Sequence, residues 1–499
     1  MQDTIFMPNA LTITRPETEN AFESAVAAPT YHVLTWGCQM NEEDSEQMSL
    51  YLEQMGYQHT PEVAEADVVL LNTCSVRAKP EEKVWSALGR LKEIKQERPD
   101  MIIGVCGCMA QVESKALKRR APYINLIVGT GNISAIPSLI GRLRNGEKDI
   151  EALEPLSHKK PDLMKFTLTA LELPERKGAI VTDIPARKTE RAAKLKAHVP
   201  IMYGCDKFCT FCIVPFTRGR ERSRPTSEIV TEIEGLARNG TKEITLLGQT
   251  VNSYGKNLAE GRVPFARLLE RLNEISGLRR IRYTSPYPRD FTDELIEAIA
   301  RLEKVCEQVH LPLQVGDDDL LTEMHRGYTV AQYKEIVRKL RERVPGIALT
   351  TDIMLGYPGE TEEQFRNTLA MVEELRFDAA FMFAYSPRPN TKAAAREDQL
   401  PQELKMARLN ELIALQNRIT AEINVQAIGE EVEVLVEGWS QRDSTKLTGY
   451  TRTLKNVHFT VPEGGTRSAQ SLIGKEVPVK LLESYLTGYI GVLAEPTPK

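Results

Sequence analysis

Twice along the chain, short apolar runs alternate with stretches of helical period, and this alternation restricts the fold more than any other feature. Between Tyr31 and Gly146 the runs YHVLTWG, DVVLLNT, MIIGVCG and YINLIVG are separated by EEDSEQMSLYLEQMGY, EEKVWSALGRLKEIKQ and QVESKALKRR. In the first helical stretch Met48, Leu52 and Met55 recur at the spacing of one helix face. Near-continuous apolar strands joined by helices predict a parallel sheet covered on both faces. The alternation resumes at HVPIMYG and continues through EITLLGQ, RRIRYTS, QVHLPLQ, IALTTDIML and AAFMFAY, with helices such as TSEIVTEIEGLARNG and AQYKEIVRKLRERV between them. About six such units in roughly 200 residues predict a βα barrel, open or closed.

After a long helix, PQELKMARLNELIALQNRITAEINVQ, the pattern changes to short β-branched runs separated by turn residues: EEVEVLVEGW, LTGYTRTLKNVHFTV, EVPVKLLESY and TGYIGVLAE. These predict a small antiparallel β-barrel. The expected organisation is a tail over 1–30, an open parallel α/β domain over 31–149, a linker or excursion over 150–195, a βα barrel over 196–427 and a β-barrel over 428–495. A chain of 499 residues is too long for one core, which agrees with several domains. The net charge of −5 gives no general attraction to nucleic acid, so an RNA partner would have to be met by local basic patches. No apolar run approaches the roughly 20 residues that span a bilayer. The first residues lack a positive segment followed by an apolar one, so they do not read as a secretory signal.

Eight cysteines are too few and too clustered for a disulfide framework in a chain of this length. They point to a reducing compartment, the cytoplasm, where thiolates serve metal or redox chemistry. Three of them, Cys205, Cys209 and Cys212, lie in YGCDKFCTFCIVPFTRGRERSR just past the first strand of the second alternating region. Catalytic groups of βα barrels sit at the carboxyl ends of strands. Zinc suits the closer pair, but structural zinc takes four ligands and no second Cys or His pair stands at the expected distance. An iron–sulfur cluster held by three thiolates leaves one iron open to bind a small molecule. Cys38 in TWGCQMN, Cys74 in LNTCSVR and Cys108 in VCGCMAQ each end a strand of the first region. The carboxyl ends of a parallel sheet face one crevice, so these three thiols can converge on a second site.

The motif CxxxCxxC at the first strand of a βα barrel resembles the radical S-adenosylmethionine (SAM) enzymes. GCQMN, NTCSVR, YGCDKFCTFCIVPFTRGRERSR, LLGQTVNSYG, DIMLGYPGETEEQF and YSPRPNTKAA, in that order, resemble the methylthiotransferase family, and within it the branch acting on N6-dimethylallyladenosine in tRNA. The resemblance spans roughly Tyr31 to Glu495 apart from the region around 150–195. It implies a cysteine domain, a radical SAM barrel and a C-terminal RNA-binding TRAM barrel. It also implies two [4Fe–4S] clusters, one on Cys205, Cys209 and Cys212 that cleaves SAM to a 5′-deoxyadenosyl radical. The other, on Cys38, Cys74 and Cys108, serves as the sulfur donor. Sister branches act on threonylcarbamoyl-adenosine in tRNA or on an aspartate of a ribosomal protein. The implied partners are a tRNA anticodon stem-loop, a flavodoxin-like or other electron donor and a system that supplies sulfur and clusters, with the enzyme a monomer.

Of the two remaining cysteines, the pattern GC-x-A-Q selects Cys108 as ligand and leaves Cys106 to the core strand, and Cys306 reads as core. Gly248 and Gln249, at the end of the barrel's second strand, are candidates for holding SAM, because glycine permits close backbone approach. Gln314 and Phe211 are further candidates for the cofactor. The serines usual after that glutamine are replaced by Val315 and Asp317, and Asn390 stands where relatives more often have glycine. Arg218, Arg220, Arg222 and Arg224 suit carboxylate or phosphate recognition, toward SAM or tRNA, or ion pairs within the fold. Lys446, Arg452 and Lys455, with Tyr450 and Phe459, form a candidate RNA-facing stripe on the last barrel.

Overall fold

The computed structural model describes residues 28–75, 78–154, 187–258, 260–462 and 468–494. Most of the expected tail over 1–30 and of the expected excursion over 150–195 lies outside these residues, and Thr30 already belongs to the first strand.

The first region is one parallel sheet of β1 (Thr30–Thr35), β2 (Gln58–His59), β3 (Val68–Thr73), β4 (Ile102–Gly107), β5 (Leu126–Val128) and β6 (Ile150–Ala152), in the order β2-β1-β3-β4-β5-β6. Every residue of β3 and β4 is buried, because both faces are covered. Val68, Leu70 and Leu126 pack on one face with Met48 and Leu52 of α1 (Gln39–Gln54). Val69, Leu71 and Ile103 pack on the other with Val84, Leu88 and Leu91 of α2 (Ala78–Glu97). α3 (Cys108–Arg120) and α4 (Ile136–Arg144) complete the layers. The sheet runs past residue 149: β6 pairs with β5 through Leu126 and Ile150, a strand too short to carry a readable period.

In the second region β7 (Lys196–Pro200) is followed by a small antiparallel pair, β8 (Met202–Tyr203) and β9 (Arg222–Ser223). Then come β10 (Glu243–Leu247), β11 (Arg280–Tyr283), β12 (Gln308–His310), β13 (Ala348–Leu355) and β14 (Ala379–Ala384). β7, β10 and β11 pair in parallel, as do β12, β13 and β14, and a bridge from Ile281 to Val305 joins the two sets. Among the described residues β7 and β14 do not pair, so the barrel is open. α5 (Val214–Thr217) lies between β8 and β9 and meets α3, and the outer layer comprises α6 (Thr226–Arg238), α7 (Phe265–Asn273), α8 (Asp293–Arg301), α9 (Asp318–Glu323), α10 (Val330–Arg343) and α11 (Glu362–Leu375). Thr329 with Gln332, and Thr361 with Gln364, form reciprocal caps that start α10 and α11. Asp317 caps α9 by accepting from the Asp319 and Leu320 amides. Asn390 has φ +65°, which explains why glycine suits that position and why asparagine is tolerated.

α12 (Gln402–Gln426) leads to a closed barrel of β15 (Glu431–Trp439), β16 (Leu447–Thr451), β17 (Asn456–Thr460), β18 (Glu476–Tyr485) and β19 (Gly488–Leu493), in the order β15-β16-β17-β19-β18. Four pairs are antiparallel as expected and one, β17 with β19, is parallel. An odd number of strands cannot alternate direction all the way around a ring, so one parallel pair is required. This barrel sits on the amino ends of the βα strands. Arg280 donates to the Tyr450 carbonyl at 2.8 Å and to Glu476 at 2.8 Å, and Arg282 donates to the Arg452 carbonyl at 2.7 Å.

Candidate active site

Cys38, Cys74 and Cys108 follow three neighbouring parallel strands in register: Thr35 lies opposite Asn72, and Asn72 opposite Cys106. The three loops therefore leave one edge of the sheet together. Glycine lets them press close. Gly37 has φ +142° and an added Cβ would stand 2.9 Å from Cys74 Cβ; at Gly107, φ +91°, it would stand 2.5 Å from the Thr73 carbonyl oxygen. Asn41 Nδ2 donates to Asn72 Oδ1 at 3.0 Å and to the Thr73 carbonyl at 3.1 Å, and Asn72 Nδ2 returns a bond to the Asn41 carbonyl at 2.8 Å. Cys38 caps α1 and Cys108 is the first residue of α3, where the positive end of the helix dipole favours thiolate. Cys74 and Cys108 are buried and Cys38 is exposed. Burial pushes the Cys108 thiol up, opposed by the Arg218 guanidinium, and the Cys38 sulfur is near enough to add to the rise.

Cys205, Cys209 and Cys212 lie in a lobe pinched at its neck by the pairing of β8 with β9. Gly204, φ +71°, is required there, since an added Cβ would meet the Arg220 carbonyl oxygen at 2.1 Å. The Cys205 amide donates to the Gly219 carbonyl at 3.1 Å and the Cys212 amide to the Cys209 carbonyl at 3.0 Å. Asp206 receives Arg220 Nε at 2.5 Å and the Glu221 amide at 3.1 Å, fixing the lobe's rim. Burial pushes the Cys205 thiol well up, reinforced by the Cys212 and Cys209 sulfurs, and the Cys212 thiol up to about 12, reinforced by Cys209. The three thiols thus lie near enough to act on one another. Among the described residues no three Cys, His, Asp or Glu side chains are placed to hold a single ion. One zinc needs all its ligands at about 2.3 Å, whereas a cluster takes each thiolate on a separate iron and accepts a wider spacing. Three thiols with no fourth protein ligand among the described residues fit a cluster.

The two regions that carry the thiol sets meet at a packed seam. Met40 of α1 packs on Tyr203 and Leu247, at the carboxyl ends of barrel strands. Arg218, six residues after Cys212, donates to Asp44 of α1 at 2.8 Å, with both side chains about 5% exposed (4% and 6%). Burial works against the Arg218 cation, while Asp44, Cys108 and Cys38 favour it, which sets the guanidinium beside both thiols. Thr130 donates to the Thr217 carbonyl at 2.7 Å on the same seam.

A family model described as "Uncharacterized protein family UPF0004" matches residues 30–129, and one described as "Radical SAM superfamily" matches residues 199–372. A tRNA-2-methylthio-N(6)-dimethylallyladenosine synthase of Moorella thermoacetica is 46% identical over 457 residues, covering 91% of this chain and 96% of that one. The enzyme of the same name from Thermoanaerobacter pseudethanolicus is 45% identical and covers 93% of each. The chain belongs to the radical SAM methylthiotransferase family. Its fold is also similar to that of a radical S-adenosylmethionine methyltransferase, TsrM, from Kitasatospora setae, with a TM-score of 0.52 at 16% identity over 74% of each chain.

Against that family frame, several expected contacts need correction. Arg218, Arg222 and Arg224 are buried: Arg218 pairs with Asp44, Arg222 with Glu154 at 3.1 Å, and Arg224 with Glu232 at 2.9 Å. Their guanidinium groups are withdrawn from solvent and do not form a face for tRNA phosphates. Arg220 is the more exposed of the four and pairs with Asp206. Arg452 pairs with Glu307 at 2.7 Å and Lys455 with Asp378 at 3.4 Å. Both fasten the last barrel to the βα strands rather than forming an RNA-facing stripe, and Lys446 pairs with Asp443 at 3.0 Å. Phe211 is half-buried against the barrel core. Gly248 is buried, and a Cβ there would meet Met202 Cγ at 2.6 Å. Gln249 is half-buried beside it. Gln314 has φ +75°, and its main chain bonds Asp352 and Met354 of β13 at 2.8 Å each, so its conformation is fixed by the sheet. Cys106 and Cys306 are buried; Cys106 packs in the core of the first sheet and burial pushes its thiol up to about 12.

Other residues of this methylthiotransferase were not singled out by sequence. Arg326, in HRGYT, is buried and donates from Nη1 to Cys209 Sγ at 3.3 Å. Lys207 within the lobe reaches Asp290 at 2.5 Å. On the inner face of the open barrel, His310 Nε2 lies 3.3 Å from Asp352, and its ring meets Phe381 edge-on at 5.6 Å. Phe381 is 54% exposed, although Ala380 and Met382 on either side pack against α12 residues on the opposite face. A lone Arg or Phe carries no sequence signal for such placement.

Proposed function

We propose that this chain replaces the C2 hydrogen of N6-dimethylallyladenosine, beside the anticodon of a tRNA, with a methylthio group. The observation that carries the reading is the seam itself, where Arg218, six residues after Cys212, pairs with Asp44 and lies near the Cys108 and Cys38 thiols of the first domain. When bound, an iron–sulfur cluster on Cys205, Cys209 and Cys212 supplies low-potential electrons to SAM, and a second on Cys38, Cys74 and Cys108 supplies sulfur. The reading is also supported by relatives named tRNA-2-methylthio-N(6)-dimethylallyladenosine synthase that are 44–46% identical over more than nine-tenths of the chain. An aromatic C–H has no useful acidity and no leaving group, so acid–base chemistry cannot replace it and radical chemistry can.

The residues of the chain have defined parts in this reading. Gln249, Gln314 and Phe211 are the side chains proposed to meet SAM, and Gly248 is a backbone position, since Met202 packs where its side chain would be. Phe381, with His310 and Asp352, offers a ring for stacking and polar groups for the edge of a base splayed from the anticodon loop. The C-terminal β-barrel is of a type that binds single-stranded RNA. A soluble cytoplasmic monomer fits this work; no helix among the described residues is long and apolar enough to cross a membrane. The test is nucleoside mass spectrometry of tRNA from cells lacking the protein. N6-dimethylallyladenosine should accumulate and its 2-methylthio derivative vanish. Loss of the methylthio group from threonylcarbamoyl-adenosine, or from a ribosomal-protein aspartate, would move the chain to a sister branch.

A further inference from the structure

Among the described residues, buried arginines follow one rule with one exception. Arg191, Arg218, Arg222, Arg224, Arg280, Arg282 and Arg408 each meet a carboxylate within 3.2 Å, and Arg388 meets Glu81 at 3.4 Å. Burying a guanidinium without an anion is strongly unfavourable, so the pairing is expected. Arg326 is 6% exposed and, among the described residues, has no carboxylate within ion-pair distance. Its Nε donates to Tyr328 Oη at 3.1 Å and its Nη2 to the Pro312 carbonyl at 3.3 Å. Its Nη1 donates to Cys209 Sγ at 3.3 Å. The rings of Tyr287 and Tyr328 flank the guanidinium, with centroids 4.9 and 5.4 Å away. Tyr328 is itself held in place, donating to the Leu313 carbonyl at 2.8 Å. A neutral thiol does not compensate a buried cation. A thiolate bound to iron does, and it makes Arg326 the anion-paired residue that its burial requires.

We propose that Arg326 is a positioning residue that raises the reduction potential of the iron–sulfur cluster on Cys205, Cys209 and Cys212 by donating to the Cys209 sulfur. The cluster gains one electron and no proton moves, so the added negative charge must be met by fixed charge and N–H donors around the sulfurs. Arg326 supplies both, and the two tyrosine rings and the Pro312 carbonyl keep its fork aimed. The inference rests on these three cysteines holding a cluster.

The experiment is an anaerobic redox titration followed by electron paramagnetic resonance, in a Cys38→Ala/Cys74→Ala/Cys108→Ala background that confines iron to the lobe. Arg326→Met should lower the potential enough to weaken one-electron uptake at least tenfold, which is 59 mV. Arg326→Lys, which keeps the charge and loses the fork, should fall between. A fully loaded Arg326→Met protein that titrates with the unsubstituted background overturns the inference. If Arg326→Met holds less iron, thermal melting of protein made without iron decides. An unchanged or raised Tm supports the inference, because the iron-free protein then loses an uncompensated cation, and a clearly lowered Tm overturns it by making Arg326 a residue of the fold. Absence of iron from the background itself would instead refute the reading of the three cysteines as cluster ligands.

Discussion

Replacing Arg218 with methionine should loosen the seam between the two thiol sets, and the size of the loss can be worked out. Asp44 would stay buried, its carboxyl 6% exposed, without the guanidinium now 2.8 Å away. Removing one partner of a buried ion pair costs about 3–5 kcal/mol. The carboxylate can escape by taking a proton. From its ordinary value of 3.8, that escape costs about 4 kcal/mol at pH 7 and under about 2 kcal/mol at pH 5. The penalty in the variant is therefore full above neutral pH and fades as pH falls toward 3.8, the behaviour of a carboxyl whose folded-state pKa lies above its unfolded one. Urea unfolding should be followed by fluorescence of Trp36 and Trp85, which lie in the first domain, in a Trp439→Phe background. Arg218→Met/Asp44→Leu should regain most of the loss, since apolar replacement of a buried pair is often neutral. A loss below about 1 kcal/mol at pH 7, or equal losses at pH 5 and pH 7, would refute the reasoning.

Three other outcomes are expected. Cys209→Ala should abolish 5′-deoxyadenosine formation, whereas Cys74→Ala should spare uncoupled SAM cleavage and end thiolation; chromatography of anaerobic reactions distinguishes them. Burial works against the Asp290 carboxylate, but Lys207, Lys256 and Ser253 overcome it and hold it at about 2, below its ordinary 3.8. Its stabilisation is therefore present above pH 3.8 and lost as pH falls through about 2. Asp290→Asn should cost about 2 kcal/mol at pH 7 by urea titration, and nothing near pH 2. Phe381→Ala should weaken binding of an anticodon stem-loop RNA carrying N6-dimethylallyladenosine about tenfold by fluorescence anisotropy, and Phe381→Tyr should not, because stacking on an aromatic ring is worth about 1–3 kcal/mol per base.

The long strands were legible because both-face burial leaves an unbroken apolar run, as in VVLLNT of β3. β2, with two residues, and β6, with three, are too short to show any period. The strand-end positions of Cys38, Cys74 and Cys108 were legible because each follows such an apolar run. The arginines were not. RGRERSR reads as an exposed basic stretch, yet Asp44 and Glu154 come from the first domain, and Glu232 from the helix that follows, to pair with three of its members. Arg452 and Lys455 misled for the same reason, their partners Glu307 and Asp378 lying in the βα barrel. Charge placement depends on which distant carboxylates the topology delivers, and one sequence does not record that.

The most direct test is an iron and acid-labile sulfide count on protein purified without oxygen, with each cysteine triplet replaced by alanine in turn. Two four-iron clusters predict about eight irons for the native chain and about four for either triple variant. A triple variant that keeps the full native iron, or a native chain with only about four, would contradict the account.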